Sequence, residues 1–415
     1  MNRAILNSTK RQLSDVYRRN IHVDLSGRVD LNLLKEVYKH PITSIAIGPT
    51  IMKNIEEKSN RYDNMTEAYG KGRGFGVNQS TEVTLSENNH QRNLVLSHSV
   101  GFNHQKTAQE SQKFYDEKTV RHMLLSRLIA MTFNSNGETF TGVSPNVVNF
   151  LKVVLEKNAL PKVAKRHTLS ASGDLGPNAA MARVLLGYGE MKHPQTNKYE
   201  PAEKVIQQLD LKPLTLCNND GLVLINGVGL TTANLVDVSM KIESYLKTNM
   251  MVLALSLNAM EARKNQFNPL LAQTRLWLTS QDTDNNYASY KNCLGYFYNA
   301  LNGASENKAI TQNDYSVRNV SEVLRLAWKY LDALNKTLVE TINSAQHNPL
   351  MVSSQQDEQM MSSNNFNSLA LSHATSDVML MLGRLNQLNR TMTEALNDPK
   401  KTGMLHNFTA RNAQE

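Results

Sequence analysis

The feature that most constrains the fold is a set of long segments in the second half of the chain whose apolar residues recur at helical spacing. One stripe runs from Leu235 to Leu253, a second from Val323 to Leu338, and a third from Leu369 to Leu388. Side chains three and four residues apart share one face of a helix. Because few strand-like alternations compete with these stripes, the sequence predicts a mainly α protein with a bundle of long helices.

The first half of the chain has a different character. It contains shorter helical patterns at Val29 to Tyr38 and Pro49 to Lys58, and a loop is expected from Pro161 through Pro177. The segment Tyr69 to Gly76 has four glycines in eight positions, which is typical of a loop that needs unusual dihedral angles or approaches a ligand closely. We therefore predict a loop-rich region over residues 1–220 and a helix bundle over residues 221–415.

Charge and cysteine usage limit the classes of protein that fit. The formal net charge is +8, but the basic residues are scattered and no aromatic stacking motif accompanies them. A basic surface that favours small anionic substrates therefore fits better than a nucleic-acid partner. Two cysteines, Cys217 and Cys293, are too few for a disulfide framework or a cysteine zinc cluster. With no signal peptide and no apolar run of membrane-spanning length, we expect a cytoplasmic protein without a membrane partner.

A tripeptide of small residues could carry unusual chemistry. If the nitrogen of Gly173 attacks the carbonyl carbon of Ala171, a five-membered ring closes, and loss of water there and from Ser172 leaves an exocyclic methylene. The product, a 4-methylidene-imidazol-5-one (MIO), is uncharged and strongly electrophilic. Ala171 and Gly173 obstruct closure least, and glycine accepts the strained backbone. Since Ala-Ser-Gly also occurs in ordinary turns, the surrounding sequence has to decide.

Seven ordered segments resemble the histidine and aromatic amino-acid ammonia-lyase family, and together they extend from Tyr69 to about Arg390. They are Tyr69 to Gly76, Gln91 to His98, Ser170 to Leu175, Leu224 to Gly227, Gln312 to Arg318, Glu340 to Ser344 with Asn348 to Leu350, and Asn365-Phe366. The resemblance implies a fumarase/aspartase-like long-helix bundle with an N-terminal loop-rich catalytic region. It also implies MIO, formed from residues 171–173, as the prosthetic group, with no metal.

The resemblance implies catalytic roles for two tyrosines. Eliminating ammonia from an amino acid requires a base for a weakly acidic β-proton and an electron sink for a poor leaving group. Tyr69 matches the family's base, and Tyr315 matches a tyrosine near the electrophile and the migrating amine. A phenol is a weak base unless nearby positive charge or donors support its ionised form.

The remaining matched residues are implied to bind substrate. Arg318 matches an arginine that pairs with the substrate carboxylate, a task that suits a planar bidentate donor. Gln312 and Asn226 match amides that hydrogen-bond the substrate or the oxygen of the electrophile. His98 and Phe366 are placed at the substrate ring, where a histidine can hydrogen-bond an imidazole or a phenol and a phenylalanine can pack on either.

The substrate expected from this resemblance is L-histidine, converted to urocanate and ammonia as in histidine catabolism. The pair Ser97-His98 is similar to the Ser-His of histidine lyases, whereas tyrosine and phenylalanine lyases tend to have His-Leu or Phe-Leu there. Elimination from tyrosine or phenylalanine is the second possibility, and a 2,3-aminomutase is the third. Since the family builds its sites from several subunits, a homotetramer is expected.

Several departures from the family pattern keep another class of function open. Gly72 and Arg73 replace the usual Asn-Thr of the base loop, and Asn367-Ser368 replaces His-Gly after Phe366. Family members also continue past the region resembling Leu396 to Phe408 into further helices, including a glutamate-bearing segment, whereas this sequence stops at Glu415. The chain is therefore expected to be truncated: a fragment, an enzyme completed by another polypeptide, or a non-catalytic helical scaffold.

Overall fold

A computed structural model describes residues 20–65, 69–83, 86–101, 113–167, 172–274, 286–353 and 358–402. It is mainly helical, which confirms the fold class expected from the sequence. The chain divides into two compact units, one of residues 1–237 with 338–369 and one of residues 238–337 with 370–415. This division differs from a single linear boundary at residue 220, because residues 338–369 return to the first unit.

The first unit contains short strands and most of the shorter helices. Its early elements are β1 (Ile21–Asp24), α1 (Leu31–Lys39), β2 (Ile42–Ala46), α2 (Pro49–Asn64), α3 (Glu87–His98), α4 (Glu117–Thr132), β3 (Asn134–Ser135) and β4 (Glu138–Thr139). The later ones are α5 (Pro145–Glu156), α6 (Leu175–Leu185), β5 (Glu190–Lys192), β6 (Tyr199–Pro201), α7 (Ala202–Gln208), α8 (Asp220–Ile225), β7 (Leu350–Ser353) and β8 (Glu358–Met361). Helix α9 (Gly229–Ala259) begins in this unit.

The strands form four two-stranded sheets among the described residues. β1 and β2 are parallel with α1 between them, and the pairs β3-β4, β5-β6 and β7-β8 are antiparallel. Each strand has two to five residues, too few for a period-two pattern to stand out in the sequence. Their main contribution is to fix the loops between the helices.

Helix α4 is the centre of the first unit. Every residue from Thr119 to Thr132 is buried, and the Asp116 carboxylate caps the helix by accepting the Thr119 N–H at 2.9 Å. A helix buried on all sides has no polar face, so its sequence lacks the amphipathic period that marks surface helices. This explains why the sequence analysis did not identify it.

The predicted early helices are present with shifted ends. The first begins at Leu31 because Asp30 caps it, accepting the Leu33 N–H at 2.7 Å. The second begins at Pro49 as predicted and continues to Asn64, six residues past the predicted end. The predicted loop extends through Pro177, but α6 already begins at Leu175, so the predicted end is wrong. Pro177 lies in the first turn of α6, where the backbone N–H that proline lacks would not be part of a hydrogen bond within the helix.

The second unit consists of helical elements in the described ranges. Besides the remainder of α9 it contains two 3₁₀ helices (Lys264–Phe267 and Pro269–Thr274), α10 (Asn286–Ala300), α11 (Tyr315–Arg318), most of α12 (Val320–Ile342), α13 (Leu369–Leu396, from residue 370) and α14 (Pro399–Thr402). Its core includes a cluster of Ala272, Tyr290 and Leu294. Within the described ranges, no helix is both long and apolar enough to cross a membrane.

All three predicted stripes needed correction. In α9, Val238 and Tyr245 of the predicted stripe are each 38% exposed. In α12 the buried row is Leu324, Ala327, Leu331, Leu334 and Leu338, an alternation of three- and four-residue steps. The predicted row mixed this set with Val323, Leu326 and Tyr330, which lie one position to the side and are half-buried. In α13, Leu369 is 74% exposed because the buried row starts at Leu371.

Candidate functional site

The loop of the proposed ring enters a space with no room for side chains. Gly173 has a φ of +84°, and a Cβ there would lie 2.6 Å from the Phe366 carbonyl oxygen and 2.7 Å from that of Gly227. Both the dihedral and the close approach therefore require glycine. Ser172 is half-buried beside it, while Ala171 lies outside the described residues.

A second glycine fixes the other side of this contact. Gly227 forms a parallel bridge with Gly173, and its carbonyl oxygen accepts the Asp174 N–H at 2.9 Å and the Asn178 Nδ2–H at 3.1 Å. A Cβ on Gly227 would lie 2.0 Å from Nη1 of Arg127. The backbone at Gly173 thus contacts the backbone at Gly227 directly, and the Arg127 guanidinium lies beside Gly227.

Among the predicted site residues, Asn226 contacts the segment that contains Ser172 and Gly173. Its Nδ2 donates a long hydrogen bond, 3.4 Å, to the carbonyl oxygen of Ser172. The side chain is 5% exposed, and its Oδ1 is buried with no hydrogen-bond partner among the described residues. A buried amide oxygen without a partner is costly, so it marks a place where a donor would bind.

The helix that ends at Asn226 is anchored at its start by a buried carboxylate. Asp220 accepts hydrogen bonds from the backbone N–H and the hydroxyl of Ser144, at 2.7 and 2.8 Å, and from the Cys217 N–H at 2.9 Å. Burial raises the pKa of the Asp220 carboxyl, against these hydrogen bonds, which lower it. Asp220 therefore joins α8 to the start of α5 and holds Asn226 in place.

A buried arginine that the sequence analysis did not single out supports the same turn. Arg127 on α4 is 0% exposed, and its Nη2 donates to the Val223 carbonyl at 2.6 Å. Its Nη1 donates to Oε1 of Gln346 at 3.5 Å. Burial lowers the pKa of Arg127 to about 10, and the nearby charge of Asp174 opposes this shift. The guanidinium therefore stays charged at neutral pH.

The Asp174 carboxylate directly follows residues 171–173. It accepts the N–H and the hydroxyl of Thr231 at 2.8 and 2.9 Å. Burial raises its pKa, while the hydrogen bonds from Thr231 and the charge of Arg127 lower it. The loop is thus pinned to the first turn of α9.

The loop of residues 69–76 orients Tyr69 through its own backbone. The Gly76 N–H donates to the Tyr69 hydroxyl oxygen at 2.8 Å, and the Tyr69 ring meets the edge of Phe75 at a centroid distance of 5.8 Å. Gly70 has a φ of +80°, and a Cβ there would lie 2.3 Å from the Phe75 ring. The glycine is therefore needed to let the loop fold over Phe75.

Residues of α3 contact this loop and the neighbouring helix α8. His90 stacks on Phe75 at 4.6 Å, and its Nε2 is hydrogen-bonded to the Arg73 carbonyl at 3.0 Å. Gln91 is fully buried and accepts the Leu222 N–H of α8 at 3.2 Å. The guanidinium of Arg73, the unusual cation of the loop, donates to the Ser80 carbonyl at 3.4 Å.

His98 is the last residue of α3, and one of its ring nitrogens already makes hydrogen bonds. Its Nδ1 lies 2.9 Å from the Leu94 carbonyl oxygen and 3.2 Å from the Ser97 hydroxyl. Since a carbonyl only accepts, Nδ1 carries the proton in the neutral ring and Nε2 becomes an acceptor. His98 is therefore arranged to bind a hydrogen-bond donor through Nε2.

Three predicted site residues, the catalytic candidate Tyr315 and the substrate-binding candidates Gln312 and Arg318, form one cluster in the second unit. Arg318 donates through Nη1 to Oε1 of Gln312 at 2.8 Å, and its guanidinium lies 4.6 Å from the centroid of the Tyr315 ring. Tyr315 is 73% exposed. The cluster thus presents a stacked, oriented guanidinium at the surface, an arrangement suited to a carboxylate.

The last predicted residue, Phe366, lies in the first unit and is half-buried. Its carbonyl oxygen faces Gly173, as described above. The structure therefore brings Ser172, Gly173, Asn226 and Phe366 to one place. Among the residues that the structure describes, no group of three or more His, Cys, Asp or Glu side chains is arranged to hold a metal ion.

Solved structures define the class of fold. An ergothionase from Treponema denticola superposes with a TM-score of 0.77 at 18% identity, covering 93% of this chain and 73% of that one. A phenylalanine aminomutase from Pantoea agglomerans superposes with a TM-score of 0.77 at 17% identity, covering 95% of this chain and 76% of that one. This chain therefore has the fold shared by these enzymes.

Sequence comparison narrows this class to a family. A histidine ammonia-lyase from Vibrio parahaemolyticus is 25% identical over 377 residues, which cover 90% of this chain and 69% of that protein. The profile of the aromatic amino acid lyase family matches residues 29–415. The chain belongs to the aromatic amino acid lyase family.

Proposed function

We propose that this protein is an ammonia-lyase that converts L-histidine to urocanate with an MIO group formed from residues 171–173. Such a group supplies an electron-poor carbon that makes the amine of a bound substrate a better leaving group. Membership of the family supports the reaction class, and the names of relatives at about 25% identity support the substrate. The roles given below to individual residues are part of this proposal.

The residues present fit the group, and the contact between Asn226 and Ser172 carries the argument. Condensation of the Gly173 nitrogen with the Ala171 carbonyl leaves the Ser172 carbonyl oxygen in place. Asn226 would therefore hold that oxygen with the hydrogen bond it already makes. Gly173 accepts the dihedral and the crowding that the loop imposes. A donor at an oxygen that gains negative charge is a common source of transition-state stabilisation.

Tyr69 is the proposed base for the β-proton. Its oxygen is fixed by the Gly76 N–H, and its ring is held against Phe75, so the hydroxyl has a defined position on a tightly bonded loop. The Arg73 guanidinium binds the Ser80 carbonyl of the same loop. A fixed base loses little conformational entropy when the proton is transferred.

Arg318 is the proposed partner of the substrate carboxylate, with Tyr315 and Gln312 orienting it. The contacts within this cluster fix the guanidinium before substrate binds. Its exposure suits a site that several subunits complete, and we propose a homotetramer for this reason. Exposed apolar side chains in the second unit also support assembly: Met251, Val252, Leu255, Met379 and Leu380. A light-scattering mass of a single chain would contradict it.

The substrate assignment is supported by the acceptor at Nε2 of His98. The imidazole N–H of histidine and the phenol of tyrosine can each donate to it, whereas the ring of phenylalanine cannot. Incubating the purified protein with each amino acid separately, while recording the absorbance of the conjugated product, tests the proposal. We expect turnover of L-histidine. Turnover of tyrosine without histidine would reject the substrate, and a β-amino acid product would identify an aminomutase.

Replacing Asn226 with alanine should lower kcat about a hundredfold with little change in KM, the usual cost of one donor to a developing negative charge. Steady-state kinetics of the Asn226→Ala variant measure this. Asn226→Asp is a matched variant of the same size that keeps an acceptor but removes the donor, and it should lose a similar factor. Equal kcat in the wild-type protein and both variants would remove Asn226 from the mechanism.

A further inference from the structure

The loop of residues 69–76 carries the proposed base and contains two flexible positions directly after it. Gly70 and Gly72 have positive φ values of +80° and +65°, and Lys71 lies between them. Glycine restricts the backbone less than any other residue. The position of Tyr69 therefore depends on contacts between this loop and neighbouring elements, and Lys71 makes one of them.

The Lys71 ammonium group binds the C-terminal end of α2. Its Nζ donates to the carbonyl oxygens of Tyr62 and Asp63, at 2.6 and 2.7 Å, and lies 4.9 Å from the centroid of the Tyr62 ring. The last carbonyls of a helix carry partial negative charge and lack partners within the helix, so a cation is stabilised there. Both hydrogen bonds have a charged donor, which makes them stronger than neutral ones.

The end of α2 is itself fixed by buried contacts within the first unit. The Tyr62 side chain is 0% exposed, and Asn218 donates through Nδ2 to the carbonyl and hydroxyl oxygens of Ser59, at 3.1 and 2.8 Å. Helix α8 begins two residues after Asn218 and leads directly to Asn226. The contact of Lys71 therefore connects the loop of the proposed base to the segment that holds Asn226.

A second contact joins the same two segments through α3. Gln91 is fully buried, donates through Nε2 to the Gly70 carbonyl at 3.5 Å, and accepts the Leu222 N–H of α8 at 3.2 Å. A separation of 3.5 Å is long for a hydrogen bond, whereas the two bonds from Lys71 are short. Removing the Lys71 ammonium should therefore loosen the loop without detaching it.

We propose that Lys71 is a positioning residue, which holds the Tyr69 hydroxyl at a fixed place relative to Asn226 and the ring formed from residues 171–173. The part of this inference that concerns catalysis rests on the proposed function. A displacement of about 1 Å can lower a rate roughly a hundredfold, so contacts away from the reacting groups can control kcat. In this role Lys71 acts through the backbone of the loop and not on the substrate.

Hydrogen exchange of the full chain, read by mass spectrometry on peptides that cover residues 69–83, tests the contact itself. The amides of Gly74, Gly76 and Val83 donate hydrogen bonds within this segment, so their exchange reports its opening. Lys71→Met removes the charge and the donors. Exchange in this segment should become about tenfold faster, the size of one charge-assisted hydrogen bond.

Steady-state kinetics with L-histidine test the consequence for the proposed base. In Lys71→Met, kcat should fall about tenfold with KM nearly unchanged, because the base moves while Arg318, the proposed partner of the substrate carboxylate, is unaltered. Lys71→Arg keeps donors for both carbonyl oxygens and should recover most of the protection from exchange and most of kcat.

Lys53→Met is the matched control, since it makes the same change at another lysine that contacts α2. The Lys53 side chain is 77% exposed and pairs with Glu57 at 3.8 Å, a type of ion pair that contributes little. Its exchange and kcat should equal those of the wild type. Unchanged exchange in Lys71→Met would overturn the inference, and so would faster exchange with unchanged kcat. If the wild-type protein turns over no amino acid, the proposed function fails, and the exchange comparison alone then shows whether Lys71 fixes this loop.

Discussion

A chain carrying Ser172→Ala should release no measurable ammonia from histidine, a loss of at least about a thousandfold in kcat/KM, or roughly 4 kcal/mol of transition-state stabilisation. The reason is that the second dehydration needs the Ser172 hydroxyl as its leaving group, so the exocyclic methylene cannot form. Intact-mass measurement checks the chemistry directly. The wild-type protein should be lighter than its sequence by two waters, and the variant by at most one.

The neighbouring serine provides the control for this experiment. Ser170→Ala changes the same type of residue in the same segment but keeps the hydroxyl that is eliminated, so both the mass loss and the activity should persist. A wild-type protein with unmodified mass would contradict ring formation. It would favour the other class of function considered from the sequence, a non-catalytic helical scaffold of this family.

Replacing Arg127 with methionine should lower the free energy of unfolding by about 3–5 kcal/mol, the usual cost of removing one member of a buried charged network. The change leaves the Val223 carbonyl without its 2.6 Å hydrogen bond and removes the positive charge near the half-buried Asp174. Urea denaturation followed by circular dichroism measures the loss. Arg127→Lys keeps the charge and should recover part of it.

A second buried arginine on α4 allows stability to be separated from the support of the loop. Arg121 donates to the Val37 carbonyl at 3.1 Å and to Asn158 at 3.2 Å, and it is not part of the Gly227 contact. Arg121→Met should therefore reduce stability while ring formation stays complete. Arg127→Met should in addition slow ring formation, because Gly227 loses the guanidinium behind it. If the two folded variants form the ring to the same extent, Arg127 contributes only to the stability of the fold.

Local patterns predicted much of this arrangement. The helical stripes identified the long helices, because side chains at steps of three and four share a face whatever surrounds them. The cluster in the second unit consists of residues that are at most six positions apart: Gln312, Tyr315 and Arg318. Their contacts therefore follow from local chain geometry. Glycines at positions 70 and 173 were correctly associated with unusual backbone, since both have positive φ values.

Other features depend on packing that no local pattern contains. Arg127 contacts Gln346, 219 residues away, and nothing in the spacing of either residue reveals the pair. The available signal was a single arginine inside the otherwise apolar run from Met123 to Met131, interrupted only by one serine. A charge in such a run is expected to be paired and buried. The buried row of α12 was predicted incorrectly for a related reason. The sequence contains two adjacent apolar rows, and which of them is buried depends on tertiary packing.

The backbone contact between Gly173 and Gly227 also limits which positions of this chain can be varied. Neither position tolerates even a methyl group, since the added carbon would overlap carbonyl oxygens on one side and a guanidinium on the other. Substitutions at these two positions should therefore strain the fold. Substitutions of the half-buried side chains of His98 and Phe366, the proposed contacts of the substrate ring, should leave that junction undisturbed.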